Sequence, residues 1–170
     1  MRLAFQPKRP GSFRLYRIIA LFLAFVLTSC AANINSYKTR KEIDRAITSR
    51  DIPSALRIVE RKGMYRNKER LLFYLDAGML HHIHGNWQQS NELLTLAEET
   101  IEELYTKSVA RAASSMLLND NSLEYSGEDY EDIYINVFKA LNYIELGDPD
   151  AAMVEVRRVD EKLGYLEQKY

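Results

Sequence analysis

Cysteine occurs once in the 170 residues, at Cys30, so neither an intrachain disulfide nor a thiolate zinc cluster can form. Acidic residues are missing from the first 29 positions, which carry the five basic side chains Arg2, Lys8, Arg9, Arg14 and Arg17. The remaining chain has 18 basic against 24 acidic residues, a net charge of −6. Nucleic acid is not an expected partner, because neutralising phosphates requires clustered Lys and Arg. Proline is scarce beyond Tyr37: only Pro53 and Pro149 occur, each beside an expected helix start where its missing N–H does no harm. No stretch alternates in the manner of a strand. GxSxG, Walker A and GxGxxG signatures are also missing, so neither an enzyme nor a bound cofactor is expected. What is present is a globular composition, with 46% hydrophobic and 28% charged residues.

The basic amino terminus leads into Ile18 to Leu27, a run without a polar side chain. As a helix it rises about 15 Å, roughly half the hydrocarbon thickness of a bilayer, which is too short for a stable span. Its length suits a secretory h-region. The residues Leu27-Thr28-Ser29-Cys30 resemble the lipobox of bacterial lipoproteins. That resemblance implies acyl chains, such as palmitate, on Cys30 and a membrane as the first partner. Each buried methylene adds about 0.8 kcal/mol, and two or more chains make a stable anchor. Ala31 stands where Asp would imply inner-membrane retention, so the outer membrane, facing the periplasm, is the expected location. The expected organisation is a signal peptide over 1–29, a short tether over 30–36 and a helical domain over 37–170.

Helical periodicity predicts helices at about 37–49, 52–62, 66–84, 87–117, 129–146 and 149–168. In the fourth, Leu94, Ala97, Ile101, Leu104, Ala112 and Met116 mark a buried face; in the sixth, Met153, Val156, Val159, Leu163 and Leu166 do so. The segment Asn119 to Asp132 reads as a loop, with Ser126 and Asp129 spaced as a capping box.

Arg50-Asp51, Gly85-Asn86 and Gly147-Asp148 read as short turns between paired helices, the first two 35 residues apart. Tyr74, Ala77, Gly78 and His81, followed by Ser90, Leu94 and Ala97, are similar to the tetratricopeptide pattern. Small residues at Gly78 and Ser90 allow two helices to approach closely. Ala140, Tyr143, Ala152, Val156 and Val159 give a third unit, in which Asn136 replaces a large aromatic. The resemblance implies an all-α chain of tetratricopeptide-like hairpins forming a short solenoid. The phrases AASSMLLNDNSLEYSGEDYEDIYINVFKALNY and GDPDAAMVEVRRVDEKL also resemble an uncharacterised family of bacterial lipoproteins, whose members continue beyond this point. A truncated form, or a partner covering the last helix, is therefore expected.

In the tetratricopeptide register the groove-lining side chains are Leu72, Leu75, Met79 and His82, an apolar strip suited to a peptide or helix. His81, His82 and His84 offer an alternative as metal ligands, but no carboxylate or cysteine stands at matching spacing. Asn119 to Asp132 is carboxylate-rich without fitting an EF-hand. The expected function is a lipid-anchored envelope scaffold or adaptor that binds another protein. The alternative is a metal- or small-ligand-binding lipoprotein using the histidines or the acidic loop.

Overall fold

Arg50, Gly85 and Gly147 all have positive φ, of 59°, 83° and 76°, and each reverses the chain between two helices. Their N–H groups donate to the carbonyls of Ile47, His82 and Ile144, three residues back. The next N–H groups, of Asp51, Asn86 and Asp148, donate to Ala46, His81 and Tyr143, five residues back. All three turns are thus the same two-bond Schellman reversal. Asp51 and Asp148 then begin the following helix, their carboxylates accepting from the N–H of Ser54 at 3.1 Å and of Ala151 at 3.0 Å. Helix stop and helix start are written in consecutive residues.

The computed structural model describes residues 38–61, 63–113 and 124–170. Contacts divide the chain into Met1–Glu42 and Ile43–Tyr170. Of the first unit only the helical residues 38–42 are described; the apolar clusters, the cleft and the polar network all belong to the second. Cys30 and the segments expected as a signal peptide and a tether lie outside the described residues.

Helix α1 spans 38–48, α2 Ile52–Val59, α3 Arg70–Ile83, α4 Trp87–Ala113, α5 Asp129–Glu145 and α6 Pro149–Lys169. A 3-10 turn, Asn67–Glu69, leads into α3. The described residues contain no strand, so the chain is all-helical there. The turns join α1 to α2, α3 to α4 and α5 to α6, and α3 also packs on α2 and α5, and α4 on α5.

Two apolar clusters hold this arrangement. The first gathers Ala46, Ile52, Ala55, Leu56 and Val59 from α1 and α2 against Ala77, Leu80 and Leu93. The second joins Leu71 of α3, Leu94 and Ala97 of α4 and Ile135 of α5. Tyr74 packs against both. Full burial of a leucine such as Leu71 or Leu94 contributes about 1.5–3 kcal/mol. Close approach of α3 to α4 depends on Gly78, where a Cβ would lie 2.9 Å from Leu94 Cδ2. Ser90 fixes the same crossing by donating from its hydroxyl to the Gly78 carbonyl at 2.8 Å.

The buried face expected for α4 is present at Leu94, Ala97 and Leu104. That expected for α6 is present only in part: Val159 and Leu166 are half-buried, while Met153, Val156 and Leu163 are about half exposed. Helix α6 turns Ala152 and Glu155 inward, and Glu155 meets α5 through a hydrogen bond from Asn136. No other described element covers its apolar stripe.

Candidate partner-binding cleft and buried polar network

A cleft of about 350 Å³ opens between α3 and α5. Leu75, Asp76 and Met79 line it from α3, one helical turn of side chains, while Leu94 forms its floor. Glu131, Tyr134, Ile135 and Phe138 line it from α5. Tyr130, Tyr134 and Phe138 follow one another at helical spacing, with ring centroids 6.5 and 6.2 Å apart, and the His82 ring meets Phe138 at 5.0 Å. Tyr130 and Tyr134 are 59% and 55% exposed. Both carboxylates of the cleft are held in place. Tyr65 donates its hydroxyl to Asp76; Glu131 accepts from the Tyr125 hydroxyl at 2.6 Å and from the Glu128 N–H at 2.9 Å. Burial and the neighbouring Glu131 push the Tyr125 hydroxyl well above its ordinary pKa, so it stays a donor.

The four residues expected to line a groove part company here. Leu75 and Met79 face the cleft, and His82 closes the aromatic row at its end. Leu72 is half-buried on the same helix and is not among the residues lining the cleft. His82 is tied inward, since its Nδ1–H donates to Asn142 Oδ1 at 2.6 Å. The Asn142 amide in turn donates to Ser90 Oγ at 2.9 Å and Asn91 Oδ1 at 2.8 Å, which fixes the histidine tautomer.

Beyond Asn142 the contact of α4, α5 and α6 is ionic. Lys139, 3% exposed, places its ammonium 2.9 Å from Glu98 Oε2 and 3.2 Å from Glu155 Oε1. Asn136 donates to both carboxylates, at 2.9 Å to Glu98 and 2.6 Å to Glu155. Lys162 reaches Glu98 at 3.2 Å, Asp132 at 2.7 Å and Asn136 Oδ1 at 2.6 Å, and Arg158 reaches Glu98 at 3.0 Å. Three cations thus meet three carboxylates and the cluster is neutral. Burial pushes the Glu98 carboxyl upward, but hydrogen bonds from Asn136 and Lys139 and the charges of Lys139 and Lys162 prevail, bringing it down to about 2.

The histidines do not converge. His81 donates from Nε2 to Glu60 at 3.1 Å and accepts at Nδ1 from Asn86 at 3.3 Å, whereas His82 turns to α5 and His84 caps α3. No group of three or more His, Cys, Asp or Glu able to hold a metal occurs among the described residues. Of the acidic loop, 119–123 lie outside the described residues. Glu124 pairs with Arg70 at 3.5 Å and Lys107 at 3.9 Å. The expected capping box at Ser126 and Asp129 is displaced to Glu128 and Glu131, because Gly127, at φ 84°, turns the chain and α5 starts only at Asp129.

Charge divides sharply along the sequence. Residues 38–70 carry 11 basic and 5 acidic side chains, a net of +6, whereas residues 71–170 carry 7 and 19, a net of −12. The cleft lies wholly in the acidic part. No described helix is long and apolar enough to cross a membrane. Comparison with protein-family models, with curated proteins and with solved structures finds no match.

Proposed function

We propose that this chain is a lipid-anchored scaffold or adaptor of the cell envelope, whose tetratricopeptide-like hairpins hold another protein in the cleft between α3 and α5. The observation that carries the reading is an aromatic row, Tyr130 and Tyr134 exposed and Phe138 half-buried, beside an apolar cleft. Aromatic side chains exposed next to apolar ones are the composition of a protein-binding surface. Three hairpins reversed by identical turns support a repeat arrangement, in which the first helices of successive units, α3 and α5, line one groove. The anchor rests on the order of basic segment, apolar run, lipobox and single cysteine. The outer membrane facing the periplasm is the location this implies.

Two measurements test the reading. Cys30→Ala is expected to release the protein from membranes on detergent partitioning, and continued retention argues against the anchor. A photo-crosslinking side chain at Met79 or Tyr134 is expected to give a discrete protein adduct in intact cells, while the same group at Glu161 on α6 gives none. Equal labelling from all three positions removes the cleft from consideration.

A further inference from the structure

Two carboxylates stand in an otherwise apolar cleft, Asp76 on one wall and Glu131 on the other, and none of its lining residues is a cation. Each is oriented by a tyrosine hydroxyl from outside the cleft, Tyr65 for Asp76 and Tyr125 for Glu131. Residues 71–170, which supply the whole cleft, are strongly acidic at a net of −12. An apolar guest flanked by acidic groups is repelled from such a site, and one flanked by cations is steered towards it. The α3 wall is about one helical turn long, Leu75 to Met79, and the α5 wall about two, Glu131 to Phe138. That length receives one or two anchoring side chains.

We propose that the cleft takes a cationic amphipathic helix of a partner protein, with an apolar anchor seated among Met79, Leu94 and Phe138 and Lys or Arg beside it at Asp76 and Glu131. This rests on the protein-binding reading of the cleft and adds the chemistry of what is bound. Guanidinium is favoured where a carboxylate accepts two parallel hydrogen bonds, and ammonium serves as a point charge.

The test uses the full chain held in phosphatidylcholine nanodiscs and two labelled helical peptides with the same leucine stripe, one with lysine on the flanks and one with glutamate. Fluorescence anisotropy is expected to show the lysine peptide binding at least tenfold more tightly. Asp76→Asn with Glu131→Gln, which keep an acceptor oxygen for each tyrosine, is expected to erase most of that preference. Glu161→Gln with Glu167→Gln, which removes the same charge from α6, is expected to leave it. Equal binding of both peptides overturns the cationic-partner proposal while leaving a protein-binding cleft. Equal loss with the α6 pair overturns it too, since the attraction is then general. Met79→Trp, which fills the cleft without changing its charge, that leaves the lysine peptide bound places binding elsewhere and overturns the cleft reading as well. Displacement of the peptide by palmitate, or Met79-to-Met79 crosslinking between copies with no peptide bound, overturns the proposal in favour of a lipid chain or a second copy.

Discussion

Lys139 and Glu98 form a buried ion pair at 2.9 Å, with side chains 4% and 10% exposed, where α4 meets α5. A charge in such a place is costly unless every partner stays, because the interior does not solvate what is left behind. Lys139→Met leaves Glu98 and Glu155 facing each other without the ammonium between them. We expect it to lower unfolding free energy by about 3–5 kcal/mol, seen as a fall in the urea midpoint at unchanged m-value. Adding Glu155→Gln should recover part of that loss; no recovery would show that charge balance is not the cause.

Acid should weaken the fold through Glu98. Its carboxyl has a pKa of about 2 when folded and 4.5 in the absence of these partners. The stabilisation is complete above pH 4.5 and is lost as pH falls from there towards 2, because the unfolded chain takes up the proton first. The amount is of order 3 kcal/mol. Glu98→Gln is expected to be less stable at pH 7 and to show a flatter decline over that interval, followed by circular dichroism in urea.

The α3–α4 crossing tolerates no added methyl. In Gly78→Ala the new carbon would meet Leu94 Cδ2 at 2.9 Å and Cγ at 3.0 Å, and Leu94 is itself 1% exposed. We expect a cost of about 1–3 kcal/mol, although alanine is the better helix former by about 1 kcal/mol. Ser90→Ala removes the bond to the Gly78 carbonyl and an acceptor of Asn142, for a further loss of about 1–3 kcal/mol. Thermal unfolding of the two variants measures both.

The three turns share geometry but not residue type, which gives predictions of opposite sign. Arg50 sits at φ 59°, a conformation that costs a side-chain-bearing residue about 1–2 kcal/mol. Arg50→Gly is expected to stabilise the protein by about 0.5–1 kcal/mol after the entropy of glycine is subtracted. Gly147→Ala should destabilise it by about 1–2 kcal/mol through torsion alone, since nothing lies within 4 Å of the added carbon. Denaturation midpoints moving in the same direction would contradict this.

The helices are legible in the sequence because their signals are local: apolar spacing between, and a positive-φ residue followed by Asp or Asn at, each reversal. The cap before α5 is ambiguous in sequence, since Ser126–Asp129 and Glu128–Glu131 satisfy the same spacing, and only the backbone turn at Gly127 selects the second. The polar network escapes a sequence reading for a different reason. Glu98, Lys139 and Glu155 read singly as solvated charges, and Asn136 as a defect in a repeat, because Glu98 lies 41 residues from Lys139 and 38 from Asn136, which in turn is 19 from Glu155. One signal is available: Glu98 falls four residues after Leu94 and three before Ile101, beside the apolar stripe of α4. The α6 face is misread in part for the same reason, since Glu155 turns inward to its partner on α5. Of the residues lining the cleft, Leu75 and Met79 are among those the sequence singles out, but Asp76 and Glu131 are not, since nothing in the sequence links residues of α3 with residues of α5.

The neutral cluster also determines how ionic strength acts on this protein. It absorbs three basic and three acidic side chains of residues 71–170, leaving 16 acidic against only 4 basic residues elsewhere in that stretch. Such an imbalance repels itself over the Debye length of about 8–10 Å, whereas the buried pairs of Lys139 with Glu98 and Glu155 are little screened. Added salt therefore relaxes the outside of the molecule without loosening the inside, and the α3–α6 portion tightens in media that weaken most proteins tied together by surface ion pairs.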